Sequence, residues 1–224
     1  MQKKLVVVGA GEFADIATEY FSAGSDYEVC GFSVEAEFLS EREKFGLPVV
    51  ALEEIERHFP KEEFEVHVAI TNTQLNQVRE RLFKYLKKLG YTFASYVSPH
   101  AFVWRTAQLG ENVFIFENNV VQHGVKVGDG VVLWSGNHIG HQSRIEEFAF
   151  LTSHVVVSGY CLIGRRSFVG VNSAFADHVE IGADAYVAMS SSVNKSHPEP
   201  GQLLTGVPAE ASRVSSYRYC KVKP

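Results

Sequence analysis

Nine histidines and three cysteines are the residues of this chain best suited to proton transfer or metal binding. Cys30, Cys161 and Cys220 are widely spaced and odd in number, which predicts neither a disulfide framework nor a metal knuckle. His141 stands apart from the other histidines. Gly140 precedes it and would leave backbone room for a ligand, and it lies mid-way along a repeating region where a neighbouring subunit could approach. A neutral imidazole, with its usual pKa near 6.5, can accept a proton from an attacking nucleophile at neutral pH. His123 and His138 read as supporting or structural, His58 and His67 as solvated, His100 as part of a linker, and His178 and His197 as turn residues.

A second chemical signal lies near the start. Gly9-Ala10-Gly11-Glu12-Phe13-Ala14 has the GxGxxA spacing, between an apolar run and an amphipathic stretch. Free amides at a helix start favour phosphate there. Glu35, at the tip of the second predicted strand, is the acidic candidate for a ribose. Two readings stay open: a phosphate-binding loop, or a glycine turn that lets a helix pack on a strand. A full dinucleotide fold is not expected, because fewer than a hundred residues precede the change of pattern described next.

The elements that would hold these residues are written in two periodicities. Residues 1–97 alternate short apolar runs with helical spacing: strands at 5–8, 29–33, 47–50, 65–70 and 92–97, helices at 12–23 and 74–89. This alternation predicts a small α/β domain with a parallel sheet, half of a Rossmann fold. From Val103 to Val193 every sixth residue is aliphatic or Phe, sixteen positions without a slip. A six-residue period predicts a hexapeptide β-helix, one short strand per unit and three units per 18-residue coil. Small or Val side chains such as Ala107, Val125 and Ser167 fill the tighter inward positions. Columns follow from the 18-residue coil. His123, His141 and Gly159 stack, as do Gly136, His154 and Asn172. Asn119 and Asn137 form a buried pair bonded to each other or to backbone.

Composition narrows the function. Hydrophobic residues are 46% of the chain and charged residues 21%, an ordinary globular balance. The net charge of −5 argues against a nucleic-acid partner. No apolar run suits a membrane span, and the first residues lack a signal peptide's apolar centre, so a cytoplasmic protein is expected.

The glycine loop, the small α/β domain and the hexapeptide run ending in Gly206-Val207-Pro208-Ala209 together resemble bacterial sugar acyltransferases of the sialic acid O-acetyltransferase type, near the N-acetyltransferases of nucleotide-linked 4-amino-4,6-dideoxysugars. The resemblance implies a nucleotide-sugar-binding domain at 1–97, a left-handed β-helix acyltransferase domain at 98–211 and a tail at 212–224, read as solvated. It implies a homotrimer, with acetyl-CoA as co-substrate between neighbouring helices, no metal, and surface-polysaccharide synthesis. His141 becomes the general base, in His141-Gln142-Ser143-Arg144-Ile145. Gly159 would supply the oxyanion N–H, and Gln142, Asn137 and His123 would support the base. Gly11, Glu12, Phe13, Ser33, Val34, Thr71 and Asn72 would line the nucleotide-sugar pocket. Phe150, Gly159, Val171, Met189 and Pro208 would contact acetyl-CoA. Two positions depart from the family: Gln142 replaces a carboxylate, and Phe150 replaces a second histidine. N-acetylation of an amino sugar is the leading expectation. O-acetylation of a sialic acid or related sugar, and a non-catalytic nucleotide-sugar-binding trimer, are the alternatives.

Overall fold

The structure, a computed structural model, describes residues 2–224. Two compact units divide the chain. The first runs to Thr71 and resumes over Arg79–Tyr96; the second comprises Asn72–Val78 and Val97–Pro224.

The first unit carries strands β1 (Lys3–Val8), β2 (Tyr27–Val34), β3 (Glu43–Lys44), β4 (Leu47–Ala51) and β5 (Phe64–Val68), in sheet order β3-β4-β2-β1-β5. All pairs are parallel except the β3–β4 hairpin. Helix α1 (Glu12–Gly24) follows β1, the short α2 (Ile55–His58) follows β4, and α3 (Gln77–Leu89) follows β5. Leu5 to Val8 are buried on both sides of the sheet, as a continuous apolar run in a central parallel strand requires. Gly9 has φ +127°, and a Cβ there would lie 2.8 Å from the Ala69 carbonyl oxygen, so only glycine fits the turn.

Three expectations for this region are corrected. Helix α3 begins at Gln77 rather than 74, because Gln74, Leu75 and Asn76 turn the opposite way, with φ of 50°, 51° and 64°. The segment 92–97 adds no sheet strand: Phe93 makes one parallel bridge to Val66, and the strand Tyr96–Val97 joins the β-helix. His67 is not solvated. It is buried on β5, its Nδ1 sits 3.0 Å from the Ala94 carbonyl, and its ring packs edge-on to Phe21. Burial pulls its pKa down to about 4, a backbone carbonyl opposes the shift, and nearby Arg79 adds to it.

The second unit is a hexapeptide β-helix. Sixteen two-residue strands run from Phe102–Val103 to Ser192–Val193, and in each the second residue is the repeat position. Strands pair with those 18 residues away, such as Val120 with His138 and His138 with Val156. Three faces result. The first contains Phe102–Val103, His138–Ile139 and Val156–Val157; the second Lys126–Val127 and Arg144–Ile145; the third Phe114–Ile115 and Phe150–Leu151. The repeat side chains from Ile115 to Val193 form one buried core. Small polar side chains at the corners reach the next coil. Ser143 Oγ donates to the Ser158 carbonyl at 2.8 Å, and Ser173 Oγ to the Ala188 carbonyl at 3.0 Å. Asn119 and Asn137 are buried and bond to backbone rather than to each other: both Nδ2 groups donate to the Trp134 carbonyl, at 2.8 and 2.7 Å.

The C-terminal tail is docked, not solvated. Asp184, buried, accepts from Arg166 through both carboxylate oxygens and from the Tyr217 hydroxyl at 2.8 Å, while Ser216 Oγ donates to its carbonyl. Helix α4 (Ser216–Tyr219) then lays Tyr219 against Tyr186. His197 is also more than a turn residue: it is buried and bridges Ile181 in parallel.

Candidate active site

His141 occupies the turn that carries the chain from the first face to the second, between strands His138–Ile139 and Arg144–Ile145. The backbone there is fixed on both sides. The His141 N–H donates to Gln122 Oε1 at 2.9 Å, and its carbonyl accepts from the Tyr160 N–H at 2.9 Å. The ring lies over Gly159, where a Cβ would come within 2.6 Å of the imidazole Cε1. A tight column therefore orients an exposed imidazole, and neither ring nitrogen has a hydrogen-bond partner among the described residues. Such a ring is free to take a proton from a ligand.

The structure sorts the expected helpers. Gln142 is exposed and its side chain folds back over Gly124 in the preceding coil. His123 sits one coil before, its Nδ1 hydrogen-bonded to the Thr106 hydroxyl at 2.8 Å. Asn137 is interior, its Oδ1 accepting from the Val155 N–H, so it does not reach the turn. The Gly159 N–H already donates to Asp177 Oδ1 at 2.7 Å, which removes it as an unengaged oxyanion donor. Gly140 leaves no room for a ligand: a Cβ there would meet the Ser158 backbone at 2.5 Å, so its glycine serves coil stacking. Asp177 and Tyr160, which sequence reasoning passed over, belong to this corner. Asp177 is Gly159 plus 18 and so was within reach of the column arithmetic.

The proposed acyl-CoA contacts lie elsewhere on the helix. Phe150 is buried on the third face, stacked on Phe168 at 5.9 Å, and does not join the His141 corner. Val171 and Met189 stand in the turns from the third face to the first, Met189 being 71% exposed. Pro208 follows a cis peptide at the C-terminal end and is exposed.

In the first unit, Gly11, Glu12 and Phe13 open α1 beyond the carboxyl end of β1, with Gly11 facing open space. Ser33 and Val34 end β2, both buried, and Ser33 Oγ has no partner among the described residues. Thr71 follows β5, and its carbonyl accepts from Arg79 Nη1 at 2.7 Å; Asn72 belongs to the second unit. These first-unit residues flank β1 where the chain order reverses from β2 to β5, the place where open α/β sheets bind ligands. Arg79 is the residue sequence reasoning missed here. It is fully buried, donates to the Ile70 and Thr71 carbonyls, and burial lowers its pKa to about 9. Glu35 is not free for a ribose: Arg81 grips both its oxygens at 2.6 and 2.9 Å, and that contact lowers its pKa despite partial burial.

A half-Rossmann unit followed by a hexapeptide β-helix is the architecture of this chain, and comparison with known proteins agrees. A model of the bacterial transferase hexapeptide repeats matches residues 106–141, and a model of the PglD N-terminal domain matches residues 4–86. Carnitine operon protein CaiE of Escherichia coli O139:H28 is 30% identical over 136 residues, covering 54% of this chain and 68% of that protein. UDP-3-O-acylglucosamine N-acyltransferase 2 of Sulfurimonas denitrificans is 26% identical over 125 residues, 54% of this chain; the chain spans only 38% of that relative. Among solved structures, the acetyltransferase domain of PglB from Neisseria gonorrhoeae superimposes with a TM-score of 0.83 at 22% identity, covering 94% of this chain and 100% of that one. PerB from Caulobacter crescentus, solved with CoA and GDP-perosamine, gives 0.81 at 23% identity, covering 95% and 98%. The chain belongs to the bacterial hexapeptide transferases and carries a PglD-type N-terminal domain.

Proposed function

We propose that this protein is an acetyl-CoA-dependent N-acetyltransferase acting on the amino group of a nucleotide-linked deoxysugar, with His141 as general base. The observation that carries the reading is the exposed His141 ring, oriented by Gly159 beneath it and with no protein partner on either nitrogen among the described residues. The acceptor nitrogen attacks the thioester carbonyl, its proton passes to the imidazole, and collapse of the tetrahedral intermediate breaks the C–S bond. The departing CoA thiolate takes that proton back, so the base is restored. In the first unit, the open α1 start and the Ser33 hydroxyl support a phosphate and nucleoside site. Thr71, ordered by Arg79, and Asn72 complete the proposed acceptor contacts. Val171, Met189 and Pro208 are the proposed acyl-CoA contacts. A homotrimer fits the apolar first face, where Phe102 is 53% and Val156 44% exposed.

Support from known proteins is of kind rather than identity: the PerB structure holds CoA and GDP-perosamine, an amino-sugar nucleotide. The neutral Gln142 favours one rival, O-acetylation, because a sugar amine rests as a cation, must shed a proton before it can attack, and benefits from an adjacent carboxylate. Incubation with acetyl-CoA and paired acceptors, an amino-sugar nucleotide and a hydroxyl-only sialic acid, separates the two by product mass. Acetylation of the amino sugar alone is expected. Acetylation of the hydroxyl acceptor alone contradicts the assignment.

A further inference from the structure

We infer that Tyr160 is a positioning residue for His141, taking over with its ring the work that a neighbouring carboxylate would otherwise do. The inference rests on His141 being the base. The two rings meet edge-to-face, with centroids 5.2 Å apart and planes at 83°. In that geometry the electron-rich face of one aromatic meets the electropositive edge of the other, and the attraction grows when the imidazole gains a proton. No carboxylate does this work from the adjacent position, because Gln142 is neutral and folded over Gly124.

The turn that carries Tyr160 also brings a second ring against it. From residue 112 to residue 190 every sixth residue lies in the left-handed region; Asn, Asp or Gly fills half of these positions, and Gln142, Phe148, His154, Tyr160, Arg166, His178 and Ser190 fill the rest. Tyr160 adopts φ 57° there and its side chain is 52% exposed. Half-exposed in that turn, the Tyr160 ring makes its aromatic contacts with His141 and His178. Below it His178, at φ 63°, stacks on Tyr160 at 4.9 Å and 7°, bracing the ring from the far side. The ionisable groups of this corner are thus His123 in the coil before, and Asp177 and His178 in the coils after. Asp177 is engaged by the Gly159 N–H and His123 by Thr106, which leaves the Tyr160 ring as the ring contact of His141.

The test uses the full chain and two readouts. In histidine-labelled protein, assigned with His141→Ala, the His141 ring proton resonance is expected upfield in wild type and Tyr160→Phe, and relaxed toward free-histidine values in Tyr160→Leu. In turnover with acetyl-CoA and a UDP- or GDP-linked 4-amino-4,6-dideoxyhexose, Tyr160→Leu should lose roughly threefold to tenfold in kcat with KM held, and Tyr160→Phe should restore it. An unshifted wild-type resonance, or a Tyr160→Leu enzyme with full kcat, overturns the inference alone if His141→Ala is inactive. Full activity in His141→Ala overturns the base assignment and the inference together.

Discussion

At the scale of single residues, the corner around His141 works by what is left out as much as by what is present. Gly159 has no side chain because the imidazole occupies that space. Gly159→Ala would drive the ring off its seat, since its Cβ would stand 2.6 Å from Cε1. We expect a loss in kcat of about a hundredfold, the scale of an ångström-sized misplacement, with an unchanged circular dichroism spectrum. The Glu35–Arg81 pair makes an opposite statement in the first unit. Its carboxylate is committed to a guanidinium, so Glu35→Gln should leave nucleotide-sugar affinity within a factor of about two, read by calorimetry; half of that pair is exposed and its loss is screened.

At the scale of elements, the hexad was legible because a repeat aliphatic every sixth residue has a single geometric solution, and all sixteen fall at the second position of a strand. His67 was not legible. It lies between Val66 and Val68 in a strand covered on both faces, and sequence alone gives polar alternation the appearance of a solvent face. Its depressed pKa has a consequence with a definite sign. The unfolded chain binds a proton near pH 6.5 and the folded one only near pH 4, so stability is intact above about 6.5 and declines as the pH falls toward 4. The melting temperature of the wild type should therefore drop across that window more steeply than that of His67→Phe. A parallel decline in both proteins would contradict the assignment. The docked tail was equally hidden, because Asp184 and Tyr217 are joined by no period or motif. Asp184→Asn leaves Arg166 without its charge partner and should cost about 2–4 kcal/mol, measured by denaturant unfolding.

At the scale of the whole molecule, the glycine loop and the hexad marked an α/β unit and a β-helix, and the fold contains both. The reading weakened where residues act across coils. Phe150 was assigned by resemblance, as the position of a second histidine near acyl-CoA, and the three-sided winding sets it on a different face from the His141 corner. The first face leaves Phe102 and Val156 uncovered, which a proposed homotrimer would bury. Val156→Glu should then shift sedimentation from a trimer to a monomer; unchanged sedimentation of both forms as monomers would remove the trimer from the account. The central claim is narrower, that acyl transfer passes its proton through one imidazole at a coil corner. It is tested most directly by following free thiol released from acetyl-CoA in the presence of an amino-sugar nucleotide, for wild type beside His141→Asn. Steady thiol release by the wild type and loss of nearly all of it in the variant, with the fold retained, is the predicted result; equal release by the two proteins would contradict it.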